Sequence, residues 1–72
     1  MKKFDVNLFD EKGISLTRAF IEAESIETIY EYIDLSDADG YLIFNDILSG
    51  VTKGVRKSNV QRFRIEELNE EK

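Results

Sequence analysis

The sequence predicts an α+β fold: one small domain with a mostly antiparallel sheet of four to five strands and one helix packed on it, in the order β-β-α-β-(β)-β. Three observations lead there. Apolar and polar residues alternate near both ends of the chain, one stretch in the first half repeats its apolar residues at helical spacing, and turn-forming residues separate these stretches at short intervals. The length of 72 residues allows one compact unit, since a chain this short hides only about 60% of its unfolded surface and has little spare core. Residues 1–66 are expected to form that domain, with 67–72 as a frayed acidic tail.

Phe4, Val6 and Leu8 alternate with Asp5 and Asn7, the period of a strand with one buried face. Asp10, Glu11, Lys12 and Gly13 supply turn chemistry, with Gly13 free to take positive φ. Alternation resumes at Ile14, Leu16 and Phe20, which makes the pair a hairpin. Ser25 suits an N-cap, because its hydroxyl can accept from first-turn amides, and Glu27 suits the positive end of a helix dipole. Ile26, Ile29, Tyr30 and Ile33 then fall on one side of a helix spanning 26–33. The run from Asp34 through Gly40 holds too many turn formers to continue it.

Tyr41 to Phe44 is a short apolar run, expected as a strand covered on both faces. Gly50 and Gly54 punctuate the next stretch, which leaves a further short strand over 51–55. In the last strand Gln61, Phe63 and Ile65 alternate with Arg62, Arg64 and Glu66, giving an apolar wall and a charged wall. Ser58 and Asn59 form the turn that precedes it.

Composition excludes several kinds of chemistry. The chain has no cysteine and no histidine, so disulfides, thiol redox, Cys/His zinc sites and triads with an imidazole base are all ruled out. No window approaches the length of apolar residues that a bilayer requires, and the N-terminal residues alternate instead of forming an apolar run. The expectation is a non-catalytic, cytoplasmic protein with no cofactor, no membrane association and no metal.

Net charge is −5, and its distribution carries more meaning than its total. Residues 1–46 hold 11 acids and 4 bases, residues 47–65 hold 5 bases and no acid, and residues 66–72 hold 4 acids and 1 base. An acidic body therefore encloses a basic segment of Lys53, Arg56, Lys57, Arg62 and Arg64. Cations beside an aromatic residue can track phosphates and stack on bases. Phe63, however, belongs to the apolar wall of its strand. The simpler expectation is that these cations meet the protein's own carboxylates or a protein partner.

Glu24, Glu27, Glu31 and Asp34 share one helix face. Together with Glu22 they are the candidates for a carboxylate pair, but acid–base work requires one member to be buried. On the wet side of a helix they read as a solvated face, able to meet a basic partner or to imitate a row of phosphates. Tyr30, Tyr32 and Tyr41 read as core or interface bodies with a polar tip.

Residues 37–48, DADGYLIFNDIL, resemble part of an EF-hand calcium loop. Acids stand at loop positions 3 and 5, Gly at 6, an aliphatic residue at 8 and an acid at 12. The resemblance implies Asp37, Asp39, Asp46 and the Tyr41 carbonyl as ligands. It departs from the pattern at position 1, which is Leu35, and Asp34 stands one residue too early. The plainer reading is a turn at Asp39 and Gly40 that delivers the chain into a strand. In general character the residue usage resembles small accessory proteins of phages and mobile elements in AT-rich bacteria.

The function expected from all this is a small protein-interaction module with an unidentified protein partner, and a homodimer is an option. The alternatives are nucleic-acid contact through 53–64 and calcium binding through 37–46.

Overall fold

The computed structural model describes residues 1–68. Its elements are β1 (Lys2–Phe9), β2 (Ser15–Ala23), α1 (Ile26–Leu35), β3 (Tyr41–Asn45), β4 (Thr52–Arg56), a short 3₁₀ turn (Lys57–Asn59) and β5 (Arg62–Leu68). This is the expected α+β order. The strands divide into two antiparallel sheets, a three-stranded one ordered β2-β1-β5 and a two-stranded one of β3 and β4.

Local chemistry explains each junction. Asp10 organises the first turn: its carboxylate accepts from the amides of Lys12 and Ile14, both at 2.9 Å, while Gly13 takes φ 84. The helix opens on Ser25, whose hydroxyl accepts from the Thr28 amide at 3.4 Å. No base stands in its last turn. Lys57 supplies that cation from elsewhere in the chain, its Nζ donating to the carbonyls of Ser36 at 2.7 Å and Asp34 at 3.2 Å. A cation on the last carbonyls offsets the negative end of the helix.

The core is formed by Phe4, Val6 and Leu8 of β1, Ala19 and Ala23 of β2, Ile29 and Ile33 of α1, and Leu42 and Phe44 of β3. Four expectations require correction. Ile14 and Leu16 are exposed and Phe20 faces away from the core, while Ala19 and Ala23 point inward. A bulge between Leu8 and Phe9 shifts the register of β2 by one residue, and a one-residue slip exchanges the two faces of a strand. β3 is covered on one face only: Leu42 and Phe44 are buried, and Tyr41 and Ile43 are exposed. With just one partner strand and one covering layer, its second face meets water.

Phe63 is the third correction. It is 44% exposed, because its strand forms the edge of the sheet; Tyr30 packs on it with ring centroids 5.7 Å apart. The fourth concerns the end of the chain: Glu67 and Leu68 pair with Phe4 and Lys3 of β1, so β5 runs past the expected start of a tail. Residues 69–72, the rest of that expected tail, lie outside the described residues.

Candidate functional site

The three-stranded sheet and the β3–β4 hairpin meet at Asp46, the residue that follows β3. It is the only buried polar or charged residue among those described, with 5% exposure. One carboxylate oxygen accepts from the Phe20 amide at 2.8 Å. The other accepts from the Ser49 hydroxyl at 2.6 Å and the Ser49 amide at 3.2 Å. Lys53 Nζ stands 3.8 Å away. The Ser49 hydroxyl, the Phe20 amide and then the Lys53 charge hold the Asp46 carboxyl at a pKa of about 2, against an ordinary value of 3.8. With every nearby donor aimed at its ionised form, Asp46 acts as a structural anion and not as a proton carrier.

Beside this joint the two sheets leave a gap. The Ile47 amide donates to the Phe20 carbonyl at 2.7 Å, so both backbone groups of Phe20 on the free side of β2 are occupied. On the facing edge of β3, the Tyr32 hydroxyl accepts from the Ile43 amide at 2.8 Å and donates to the Ile43 carbonyl at 3.1 Å. One phenol thus stands where a neighbouring strand would pair. Between the two edges runs a groove of 480 Å³, walled by Ile21 and Ala23 on one side and Ile43 on the other, with Ile29 and Tyr32 as its floor and Ile47 at one end.

Apolar surface continues beyond the groove. Leu35 shares a second hollow with Tyr32 and Glu31, Tyr41 lies on the same face of β3 as Ile43, and Leu48 follows Ile47. Leu35 is 81% exposed, Leu48 72%, Tyr41 56% and Ile43 53%. Arg56 covers part of the Tyr41 ring, its guanidinium carbon 5.4 Å from the ring centroid. Glu22 is the one charged residue lining the groove.

The basic segment does not converge into one patch. Lys53 turns inward to Asp46 and to the Arg18 carbonyl at 2.9 Å, and Lys57 is committed to the helix end. Arg56 lies on the outer face of β4. Arg62 and Arg64 lie on the outer face of β5, where Arg64 Nε stands 4.0 Å from Glu66. Beside them Arg18 is held by Asp5 through two hydrogen bonds, at 2.7 and 3.0 Å. Only sequence distance had grouped the five, and β4 and β5 belong to different sheets.

Glu27, Glu31 and Asp34 are exposed on α1, with Glu24 exposed just before it. The spacing of Glu27, Glu31 and Asp34 keeps them on one side of the helix. The calcium ligands are not brought together: Asp37 and Asp39 stand in the turn before β3 and Asp46 at its far end, with its oxygens already occupied. Among the described residues no group of three acids is placed to hold a metal ion, and no helix is long and apolar enough to cross a membrane.

Sequence reasoning missed the groove and the Asp46 joint. Asp46 gave one usable signal, an acid followed three residues later by Ser49 and then by Gly50, the pattern of a side-chain-bonded turn. Nothing local marked Tyr32 as the plug of a strand edge, because its partner lies 11 residues away. No family model, curated protein or solved structure matches the chain.

Proposed function

We propose that this protein is a non-catalytic interaction module, and that it receives a protein partner on the groove between β2, α1 and β3 and on the apolar surface around it. The observation that carries this reading is the run of exposed apolar side chains from Leu35 through Tyr32, Ile43 and Ile47 to Leu48. Monomeric proteins seldom leave adjoining apolar residues of this size in water without a partner to cover them. The groove has the volume of a small-molecule pocket, but the apolar surface extends past its mouth on both sides. A surface of that shape suits a protein better than a small ligand. Aromatic side chains such as Tyr32 and Tyr41 are the type that anchors interfaces.

The test is affinity capture from the native host with three baits: the wild-type chain, Ile43→Glu, and Lys12→Ala in the distant β1–β2 turn. Ile43 and Lys12 are both exposed, so each variant retains the core. The reading expects one protein to be held by wild type and Lys12→Ala and to drop at least about tenfold with Ile43→Glu, the scale of one interface anchor. Equal recovery on all three baits, or no protein above the empty-matrix control, would contradict it.

A further inference from the structure

The free edge of β5 lies at the opposite end of the three-stranded sheet from the groove. Its backbone polarity follows from the register. The Phe20 amide and carbonyl point away from β1 toward Asp46 and Ile47, so the odd-numbered residues of β2 bond to β1. Amide and carbonyl groups switch sides at each step along a strand. β1 therefore bonds to β2 through its even residues and to β5 through its odd ones, consistent with the Phe9 carbonyl accepting from Gln61 at 2.9 Å. The odd residues of β1 pair with Arg62, Arg64, Glu66 and Leu68. This leaves Phe63, Ile65 and Glu67 with their amides and carbonyls facing outward, and no described residue pairs with them.

Open edges invite another strand unless charge, a bulge or a covering element prevents it. Here the charges select a partner instead of repelling one. The strand reads Arg62, Phe63, Arg64, Ile65, Glu66, Glu67, Leu68, basic in its first half and acidic in its second. We infer that the β5 edge pairs antiparallel with the β5 edge of a second copy of this chain, about a two-fold axis at Ile65. In that register Phe63 bonds to Glu67 of the second copy and Ile65 bonds to its own counterpart, so each outward amide meets a carbonyl. Arg64 then stands opposite Glu66 of the other copy, twice by symmetry. Non-bonded pairs of this kind bring side chains closest.

Neighbouring registers match charge less well. A two-fold axis at Arg64 keeps two Arg62–Glu66 pairs but sets Arg64 against Arg64, one at Glu66 sets glutamate against glutamate and leaves Arg64 opposite Leu68, and one at Phe63 sets Arg62 against Arg64. An axis between two residues aligns outward groups with inward ones. Glu66 lies directly across from Asp5, and the Arg18 guanidinium that serves both is hydrogen-bonded to Asp5 alone. The contact of Glu66 with Arg64 of the same strand is loose, at 4.0 Å with both side chains more than 60% exposed. Tyr30 and Phe63, 42% and 44% exposed, lie beside the seam. The assembly is one six-stranded sheet ordered β2-β1-β5-β5-β1-β2 with the two grooves at its far ends, and it stands independently of what occupies them.

The test is sedimentation equilibrium on the full chain at low salt, from about 10 μM to about 1 mM, the range suited to a small interface. Wild type is expected to move from monomer to dimer mass across that series. Arg64→Glu and Glu66→Arg each replace two attractive pairs by two like-charged ones and should weaken association by about tenfold or more. The double variant R64E/E66R restores the wild-type mass profile, and mixing the two single variants yields a heterodimer. Amide exchange at Phe63, Ile65 and Glu67 slows as wild-type concentration rises, while that at Arg64 and Glu66 does not. A wild-type chain that stays monomeric throughout the series, or a double variant no better than the singles, overturns the inference.

Discussion

Tyr32→Phe isolates the contribution of one hydroxyl to holding the β3 edge. The phenylalanine keeps the ring on Phe44, with which Tyr32 packs edge-on at a centroid distance of 5.6 Å, so packing loss is excluded. What disappears is the pair of hydrogen bonds to the Ile43 amide and carbonyl, at 2.8 and 3.1 Å. Each such bond contributes a net ~0.5–1.5 kcal/mol, and water can reach the released groups at this half-open site. The expected cost is therefore about 1–2 kcal/mol, a fall in melting temperature of roughly 4–16 °C for a domain of this size. Circular dichroism measures that fall, and native-state hydrogen exchange assigns it: the Ile43 amide should lose protection while the amides of Leu42 and Phe44 change less. A melting temperature within about a degree of wild type, with Ile43 exchange unaltered, refutes the idea that the phenol substitutes for a neighbouring strand.

The carboxylate of Asp46 gives a pH signature. Its folded pKa is depressed to about 2 from 3.8, so its contribution to stability is present above pH 3.8 and is lost as pH falls toward 2. Asp46→Asn keeps the shape but has one acceptor oxygen, so it cannot accept from both the Phe20 amide and Ser49. Urea midpoints should lie below wild type at neutral pH and converge with it between pH 4 and pH 2; a gap that stays constant over that interval would discount the charge. Lys57→Met removes the cation from the Ser36 and Asp34 carbonyls while retaining the length of the stem. It should cost about 1–2 kcal/mol by chemical denaturation, with the last turn of α1 exchanging faster, and equal stability would show that water serves those carbonyls as well.

The succession of elements was legible because each depended on residues close together in the chain. Asp10 with Gly13, Ser25 with Thr28, and the apolar spacing from Ile26 to Ile33 act within one turn of their own element, and they gave the hairpin, the helix and their boundaries. The acidic character of the exposed helix face was legible for the same reason. The face assignment of β2 was not. Its apolar residues Leu16 and Phe20 were the more conspicuous, yet the core takes Ala19 and Ala23. The bulge at Leu8 and Phe9 decided the register, and a bulge has no local sequence marker in a strand without glycine.

The basic segment shows the same boundary between near and far. Five cations within 12 residues looked like one surface, but β4 and β5 pair with strands that come earlier in the chain and carry their cations to different sheets. Phe63 looked buried because alternation reveals which side of a strand a residue takes, and not whether another layer covers that side.

By itself, the sequence determined the order and kind of the elements, the exclusion of thiol and imidazole chemistry, and the placement of charge in blocks along the chain. Only the tertiary structure decided that the strands form two sheets, that Asp46 joins them, that Tyr32 closes an edge and leaves an apolar groove, and that β5 ends the sheet with its charges in self-complementary order. The physical reason is range. Propensity, capping and periodicity act over a few residues, whereas register, coverage and the pairing of buried polar groups are settled between segments that meet only after the chain has folded.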